Sequence, residues 1–362
     1  MWYLFYLYNF ILAFIISLIL TRLAIFISCK YHIYDSPGDR KLHTSDMPRA
    51  GWIGLFGGVL LTVFINSVLL MLMYGKPCLV GIAGEQICQY IPGFYKRFPQ
   101  LFGLLSGGLF ITLLGLIDDR FGLSPLQKLS GQVLAALVLV FFDIRVTLFI
   151  DNYYLSVILT VVWVVAVINA FNLLDNMDGL SGGVALIASL LFFFAVSTLK
   201  QFFVSSILSV LAGAVLGFLV YNFKPSRIFM GDAGSMFLGY MVAALTVSAT
   251  FHTGEARTYL SVIMPLIILA VPIYDTLSVI IIRLKNRRPV YTGDNSHFSH
   301  RLVNLGMTER GAVMFIYLVT FCAGLPALFL PFIGIGGAVI ALLQTIGILC
   351  VVAFLEYYGK SK

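Results

Sequence analysis

Apolar runs long enough to cross a lipid bilayer recur along this chain, and polar residues collect in the gaps between them. Largely uncharged stretches suited to a hydrocarbon core of roughly 30 Å fall near 4–27, 51–74, 100–117, 129–146, 154–170, 182–199, 202–222, 234–252, 259–282, 312–330 and 333–355. The pattern predicts an all-α fold, a polytopic membrane helical bundle of about 11 transmembrane helices. The longest polar stretches, near 75–99 and 284–311, are too short for a soluble domain, so residues 1–362 read as a single integral-membrane domain. The first run opens Met1-Trp2-Tyr3 without a basic leader or a small-residue cleavage pattern, which reads as a retained helix rather than a signal peptide.

Composition agrees with the pattern: 60% of residues are hydrophobic, 11% are charged and the mean hydropathy is +0.98, values that exclude a water-soluble globule of this size. Sorted by loop, seventeen of the 23 Lys and Arg residues fall on one side of the predicted membrane and six on the other. The richer side is expected to be cytoplasmic, which puts the N-terminus outside and the C-terminus in the cytoplasm. The net charge of +7 is then mainly a topology signal, and nucleic acid is not an expected partner. Of five cysteines, Cys78 and Cys88 share an outer loop where they could pair, and packing as small hydrophobes is the plainer reading for all five.

Most of the acidic residues gather near the cytoplasmic side, whereas a proton or ion relay would string carboxylates through mid-bilayer. Asp118-Asp119 closes the third run; adjacent carboxylates repel, and a divalent cation, a nearby base or distinct roles would sustain them. The plain alternative is a solvated helix end with Asp119 paired to Arg120 or Lys128. Lys128 and Gln132 are spaced i, i+4 and could point to one place. In Asn169-Ala-Phe-Asn172-Leu-Leu-Asp175-Asn-Met-Asp178-Gly179, Asn172, Asp175 and Asp178 recur every third residue, a polar edge suited to Mg²⁺ or a nucleotide if the helix persists to Gly179.

Gly231-Asp232-Ala233-Gly234-Ser235 opens the eighth run, where helix amides favour phosphate and Asp232 could alternatively be an N-cap. Asp275, after Pro272, lies close enough to the inner face to join the same site. His297, His300 and Arg301 could neutralise a phosphate or shuttle a proton. The first inner loop adds Arg40, Lys41, His43 and Arg49. The basic run Arg283 to Arg288 reads mainly as an anchor on the inner face.

In this order, over roughly residues 35–310, these motifs resemble the polyprenyl-phosphate N-acetylhexosamine-1-phosphate transferases. Within that family the chain looks most like the bacterial undecaprenyl-phosphate N-acetylglucosamine-1-phosphate transferases. The resemblance implies transfer of a sugar-1-phosphate, most simply GlcNAc-1-phosphate, from a UDP-sugar to undecaprenyl phosphate with Mg²⁺ or Mn²⁺, releasing UMP in the first membrane step of a cell-envelope polysaccharide pathway. It implies a bacterial inner-membrane enzyme facing the cytoplasm, in contact with the bilayer and possible as a homodimer. By motif match Asp232 and Asp178 are expected at the metal, Asp175 beside them, and Asp118 and Asp119 toward the lipid phosphate with Lys128. Asn172 is expected at uridine or phosphate, and His297, His300 and Arg301, with Arg49 and Asp275, at the substrates.

Two departures stand out. Where the family commonly has His-x-His-His, the middle position here is Ser299, and where it has Asp-Gly-x-Asp-Gly, the second position is Asn176. The muramoyl-pentapeptide branch typically carries His-His-His-Phe-Glu, absent here, which makes that donor less expected than GlcNAc, GalNAc or a modified sugar. A CDP-alcohol phosphotransferase pattern is broken at Asp178-Gly179-Leu180-Ser181. From another class, an ion-coupled transporter would also gather intramembrane acids, with Asp275 beside Pro272 as its best support.

Overall fold

The computed structural model describes residues 2–31, 34–35, 47–73, 91–147, 152–249, 259–289 and 296–359. Cys78, Cys88, Arg40, Lys41 and His43 lie outside the described residues. In chain order the helices are α1 (Trp2–Tyr31), α2 (Trp52–Met73), α3 (Ile91–Phe121), α4 (Pro125–Phe141), α5 (Tyr153–Leu174), α6 (Leu180–Thr198) and α7 (Phe202–Asn222). They continue as α8 (Gly231–Ser248), α9 (Met264–Ile268), α10 (Ala270–Lys285), α11 (Phe298–Asn304), α12 (Glu309–Gly324) and α13 (Ile335–Gly359). Two short strands, β1 (Tyr34–Asp35) and β2 (Met47–Pro48), pair antiparallel.

The packing is that of a protein solvated by lipid. On α1 the residues turned inward are Tyr6, Asn9, Ala13, Ser17, Thr21, Ala24 and Ser28, while Leu4, Leu7, Ile11, Ile15, Ile19 and Leu23 face out. Lipid removes the reward for burying leucine, so small and hydroxylated residues take the helix interface. The crossing of α1 with α7 depends on Gly213 and Gly217: an added Cβ would meet the carbonyl oxygens of Phe10 at 2.2 Å and Phe14 at 2.5 Å. Ser17 donates to the Ala214 carbonyl at 2.6 Å across the same interface.

By length and composition eight of the described helices can cross a membrane, nine if the α9–α10 pair, bent by 68°, is one broken span. The two remaining apolar runs of the sequence are helices as well. One is α4, 17 residues long, and the other α8, whose start is polar and glycine-rich. The centre of the bundle is α8, buried nearly throughout against α3, α5, α2 and α6.

Sequence explains the helix starts on the polar face. Ser124 and Gln127 form a reciprocal capping box ahead of Pro125, and Thr308 caps α12 through the Gly311 amide. The ends of α3, α5 and α7 and the starts of α4, α6 and α8 thereby meet at one end of the bundle, where the carboxylates are.

Candidate active site

The adjacent carboxylates Asp118 and Asp119 are divided between two partners. Asp118 Oδ2 pairs with Lys128 Nζ at 2.7 Å, and its other oxygen accepts the Leu123 amide at 2.8 Å. Asp119 accepts the amides of Asp232 at 3.0 Å and Ala233 at 3.2 Å and lies 3.4 Å from an Arg49 nitrogen. The plain alternative, Asp119 paired with Arg120 or Lys128, is not what forms. Asp118 takes Lys128, and Asp119 takes Arg49 and the start of α8.

That arrangement also corrects the role of the α8 N-terminus. Two of its exposed amides are occupied by a protein carboxylate, whose charge suits the helix dipole as a phosphate would. Asp232 is not the cap, because it stands inside the first turn after Met230. The turn needs glycine: Gly231 has φ +70°, and a Cβ there would meet Asp119 Oδ2 at 2.6 Å.

With its backbone so fixed, Asp232 directs its carboxylate outward. Lys128 lies 3.5 Å from Oδ2, and Asn172 donates to Oδ1 at 2.6 Å. Asn172 also reaches Ser235 Oγ at 2.9 Å, so its amide orients Asp232. The Asp118 and Asp119 side chains are only 8% and 11% exposed, whereas Asp232 is 34% exposed and Arg49 38%, which leaves Asp232 and Arg49 as the accessible charges.

The expected helical edge through Asp178 does not form, because α5 ends at Leu174 with Asp175 as its C-cap and α6 begins only at Leu180. Asp178 arrives through the intervening turn, accepting the Ser226 amide at 3.3 Å. Burial, then the negative charge of Asp232, pushes the Asp175 carboxyl up to about 8; Arg49 pulls it down, while Asp119 and Asp178 add to the rise. Carboxylates crowded this way around a half-buried neighbour favour a cation. Among the described residues no three His, Cys, Asp or Glu side chains are grouped to hold a metal by themselves. Mg²⁺ usually takes one or two protein carboxylates and completes its octahedron with water and phosphate oxygens; Asp232 and Asp178, whose charges both bear on Asp175, are the carboxylates that would hold one.

The histidine segment sits beside these groups. His297 is buried with Nδ1 3.0 Å from Asp275 Oδ2, and Asp275 Oδ1 accepts the Phe298 amide at 2.6 Å. Ser299 donates to Asn176 Oδ1, tying the segment to the Asp175–Asp178 turn. His300 is half-buried, its ring centroid 6.4 Å from that of His297. Arg301 corrects an expectation: it is 4% exposed and its guanidinium holds Glu356, Ser278 and the Ser296 carbonyl, so it fastens the segment instead of facing a substrate. Gln132 likewise turns inward from Lys128, exchanging hydrogen bonds with Asn169 at 2.6 and 3.3 Å.

Sequence reasoning missed Ser235, Glu356 as the partner of Arg301, and Asn222. Asn222 accepts the Gly179 amide at 3.1 Å and donates to the Ile228 carbonyl at 2.8 Å, joining the carboxylate turn to the loop before α8. Its signal was available, an amide ending a long apolar run as Asn172 does. Beside the site, an apolar cleft of about 100 Å³ runs between α5 and the α9–α10 bend, lined by Trp163, Val167, Phe171, Leu269, Pro272 and Ile273.

The profile described as glycosyl transferase family 4 matches residues 101–250. Over 333 residues the chain is 33% identical to a probable undecaprenyl-phosphate N-acetylglucosaminyl 1-phosphate transferase of Bacillus subtilis, covering 88% of this chain and 84% of the relative. It is 32% identical over 311 residues to a decaprenyl-phosphate N-acetylglucosaminephosphotransferase of Mycobacterium leprae, covering 78% and 73%. A phospho-N-acetylmuramoyl-pentapeptide-transferase of Streptococcus agalactiae is 29% identical over 258 residues, covering 66% and 72%.

Proposed function

This chain belongs to glycosyl transferase family 4, and from that premise we propose that it transfers N-acetylglucosamine-1-phosphate from UDP-GlcNAc to undecaprenyl phosphate. UMP leaves, and a polyprenyl-diphosphate sugar forms. The observation that carries the reading is the bridge of Lys128 between Asp118 and the open Asp232, with Arg49 and Asp119 alongside. Two cationic side chains are held by carboxylates where two anionic substrates would have to meet. By their descriptions two of the named relatives act on polyprenyl phosphates and the third is a phospho-N-acetylmuramoyl-pentapeptide transferase; none is described as a transporter.

In the reaction an oxygen of the acceptor phosphate forms a bond to the phosphorus bearing the sugar, and the bond from that phosphorus to the UMP oxygen breaks. The acceptor phosphate is already ionised, so little proton abstraction is required. Lys128 carries three donors; Asp118 lies 2.7 Å and Asp232 3.5 Å from its nitrogen, and the acceptor phosphate would take a further donor. Arg49 screens the approaching anions. Asn172 and Ser235 hold Asp232 in place, while His297 and His300 lie on the donor side. Mg²⁺ or Mn²⁺, which Asp232 and Asp178 would hold, supplies the positive charge that screens phosphate repulsion and stabilises the developing charge on UMP. The apolar cleft between α5 and the α9–α10 bend suits the first units of a prenyl chain.

On this reading the enzyme is a multi-pass protein of the bacterial inner membrane with its site facing the cytoplasm, as the Lys and Arg bias supports. The test is UMP release by purified protein with undecaprenyl phosphate and Mg²⁺, comparing UDP-GlcNAc, UDP-GalNAc and UDP-MurNAc-pentapeptide. Acceptor-dependent release from UDP-GlcNAc, lost in Asp232→Ala, supports the proposal. Release from UDP-MurNAc-pentapeptide alone would move the chain to the muramoyl branch, which one relative represents.

A further inference from the structure

We propose that Glu356, on the last membrane helix, is a positioning residue that sets the place of His297 and His300 through Arg301. Glu356 is the sole Asp, Glu, Lys, Arg or His between Ile335 and Tyr358, in an otherwise apolar span. A carboxylate there is costly unless a partner compensates it. Both its oxygens are used: Oε1 accepts from Arg301 Nε at 2.9 Å and Oε2 from the Tyr274 hydroxyl at 2.8 Å.

Arg301 spends its remaining nitrogens within the same knot. One donates to Ser278 Oγ at 2.8 Å and one to the Ser296 carbonyl at 2.5 Å, and the guanidinium lies 6.0 Å from the Tyr274 ring centre. The knot therefore joins α10, the residue before the histidines, α11 and α13. Helix α11 has seven residues, too few to hold itself together without tertiary contacts. Arg301 is one turn beyond His297, whose carbonyl accepts the Arg301 amide at 2.9 Å, and adjacent to His300. Asp275 fixes the front of the segment at His297 and Phe298, and Glu356 fixes its back. Glu356 itself lies outside the stretch matched by the family profile, residues 101–250.

The expected kinetic effect rests on the reading that the histidine segment serves the UDP-sugar. In Glu356→Ala the KM for UDP-GlcNAc rises about tenfold or more, as expected when binding groups shift by about 1 Å, while the KM for undecaprenyl phosphate stays within twofold. A role in folding alone would lower the active fraction and kcat and leave both KM values in place. Glu356→Gln, which keeps the hydrogen-bond acceptor without the charge, and Tyr274→Phe give smaller increases in the same KM. Glu356→Gln decides the matter where the Ala variant fails to fold. A donor KM within twofold of wild type in the folded Glu356 variants overturns the proposal. If wild type releases no UMP from any donor, the function reading fails, and Glu356 is judged by carbethoxylation of His297 mapped by mass spectrometry. Faster modification in Glu356→Ala supports the positioning role, and an unchanged rate overturns it.

Discussion

Ser299 donates its hydroxyl to Asn176 Oδ1, so the two positions at which the sequence departs from the motifs it otherwise resembles touch each other. Ser299 is 1% exposed, and Asn176 is oriented by its own amide, which donates to the Leu173 carbonyl at 2.8 Å. The bond fastens the histidine segment to the turn bearing Asp175 and Asp178. Ser299→Ala and Asn176→Ala are each expected to raise the UDP-sugar KM severalfold. Combined, they should cost less than the sum, with a coupling of about 0.5–1.5 kcal/mol for one hydrogen bond. A double-mutant cycle on kcat/KM measures it, and strict additivity would refute the tie.

Lys128 is predicted to act as a charge held in place by Asp118. Lys128→Met should lower kcat by about 10²–10³-fold, the range for losing one preorganised charge stabiliser. Its thermal unfolding midpoint in detergent should fall as well, since the buried Asp118 carboxylate is left with the Leu123 amide alone, so kcat is measured below that midpoint. A variant with near wild-type kcat would remove the central element of the proposed mechanism.

Asp119 is predicted to matter for stability. Asp119→Ala strips the acceptor from two α8 amides and should cost about 1–2 kcal/mol, the upper range for a lost helix cap. Asp119→Asn keeps one acceptor oxygen and should cost less. Gly231→Ala should be worse than either, because it combines a positive φ with a clash against Asp119. Unfolding midpoints of the three purified variants test the order.

Asp175 gives a pH dependence of definite sign. Its carboxyl titrates near 8 in the fold and near 3.8 when unperturbed. Its contribution to stability is therefore complete below the lower value and declines as pH rises through the higher one. Without divalent cations, wild-type protein should lose stability from about pH 4 to about pH 8 relative to Asp175→Asn, which lacks the titrating group. Parallel stability curves for the two proteins would show that Asp175 is not perturbed.

Removal of divalent cations with EDTA is expected to abolish UMP release, and Mg²⁺ or Mn²⁺ to restore it. Asp232→Asn keeps the hydrogen-bonding frame from Asn172 yet weakens metal binding, so the Mg²⁺ concentration for half-activation should rise about tenfold or more. Full activity in EDTA would end the metal proposal.

The sequence by itself determined the solvent and the cast. Long apolar runs require helices in lipid, because no other open structure satisfies its backbone there. Asp118, Asp119, Asn172, Asp175, Asp178, Asp232 and Lys128 were legible because polar groups at the ends of such runs are costly without a purpose. Which of them touch was decided by tertiary structure. Local spacing put Lys128 within reach of either neighbouring carboxylate, and only the approach of α8 gave Asp119 the amides of Asp232 and Ala233 and left Asp118 to Lys128. Arg301 and Glu356 lie 55 residues apart, and their pairing exists only because α13 packs near α10. Hydrogen bonds and ion pairs act over a few ångströms in space, and distance along the chain carries no information about them until the helices are packed.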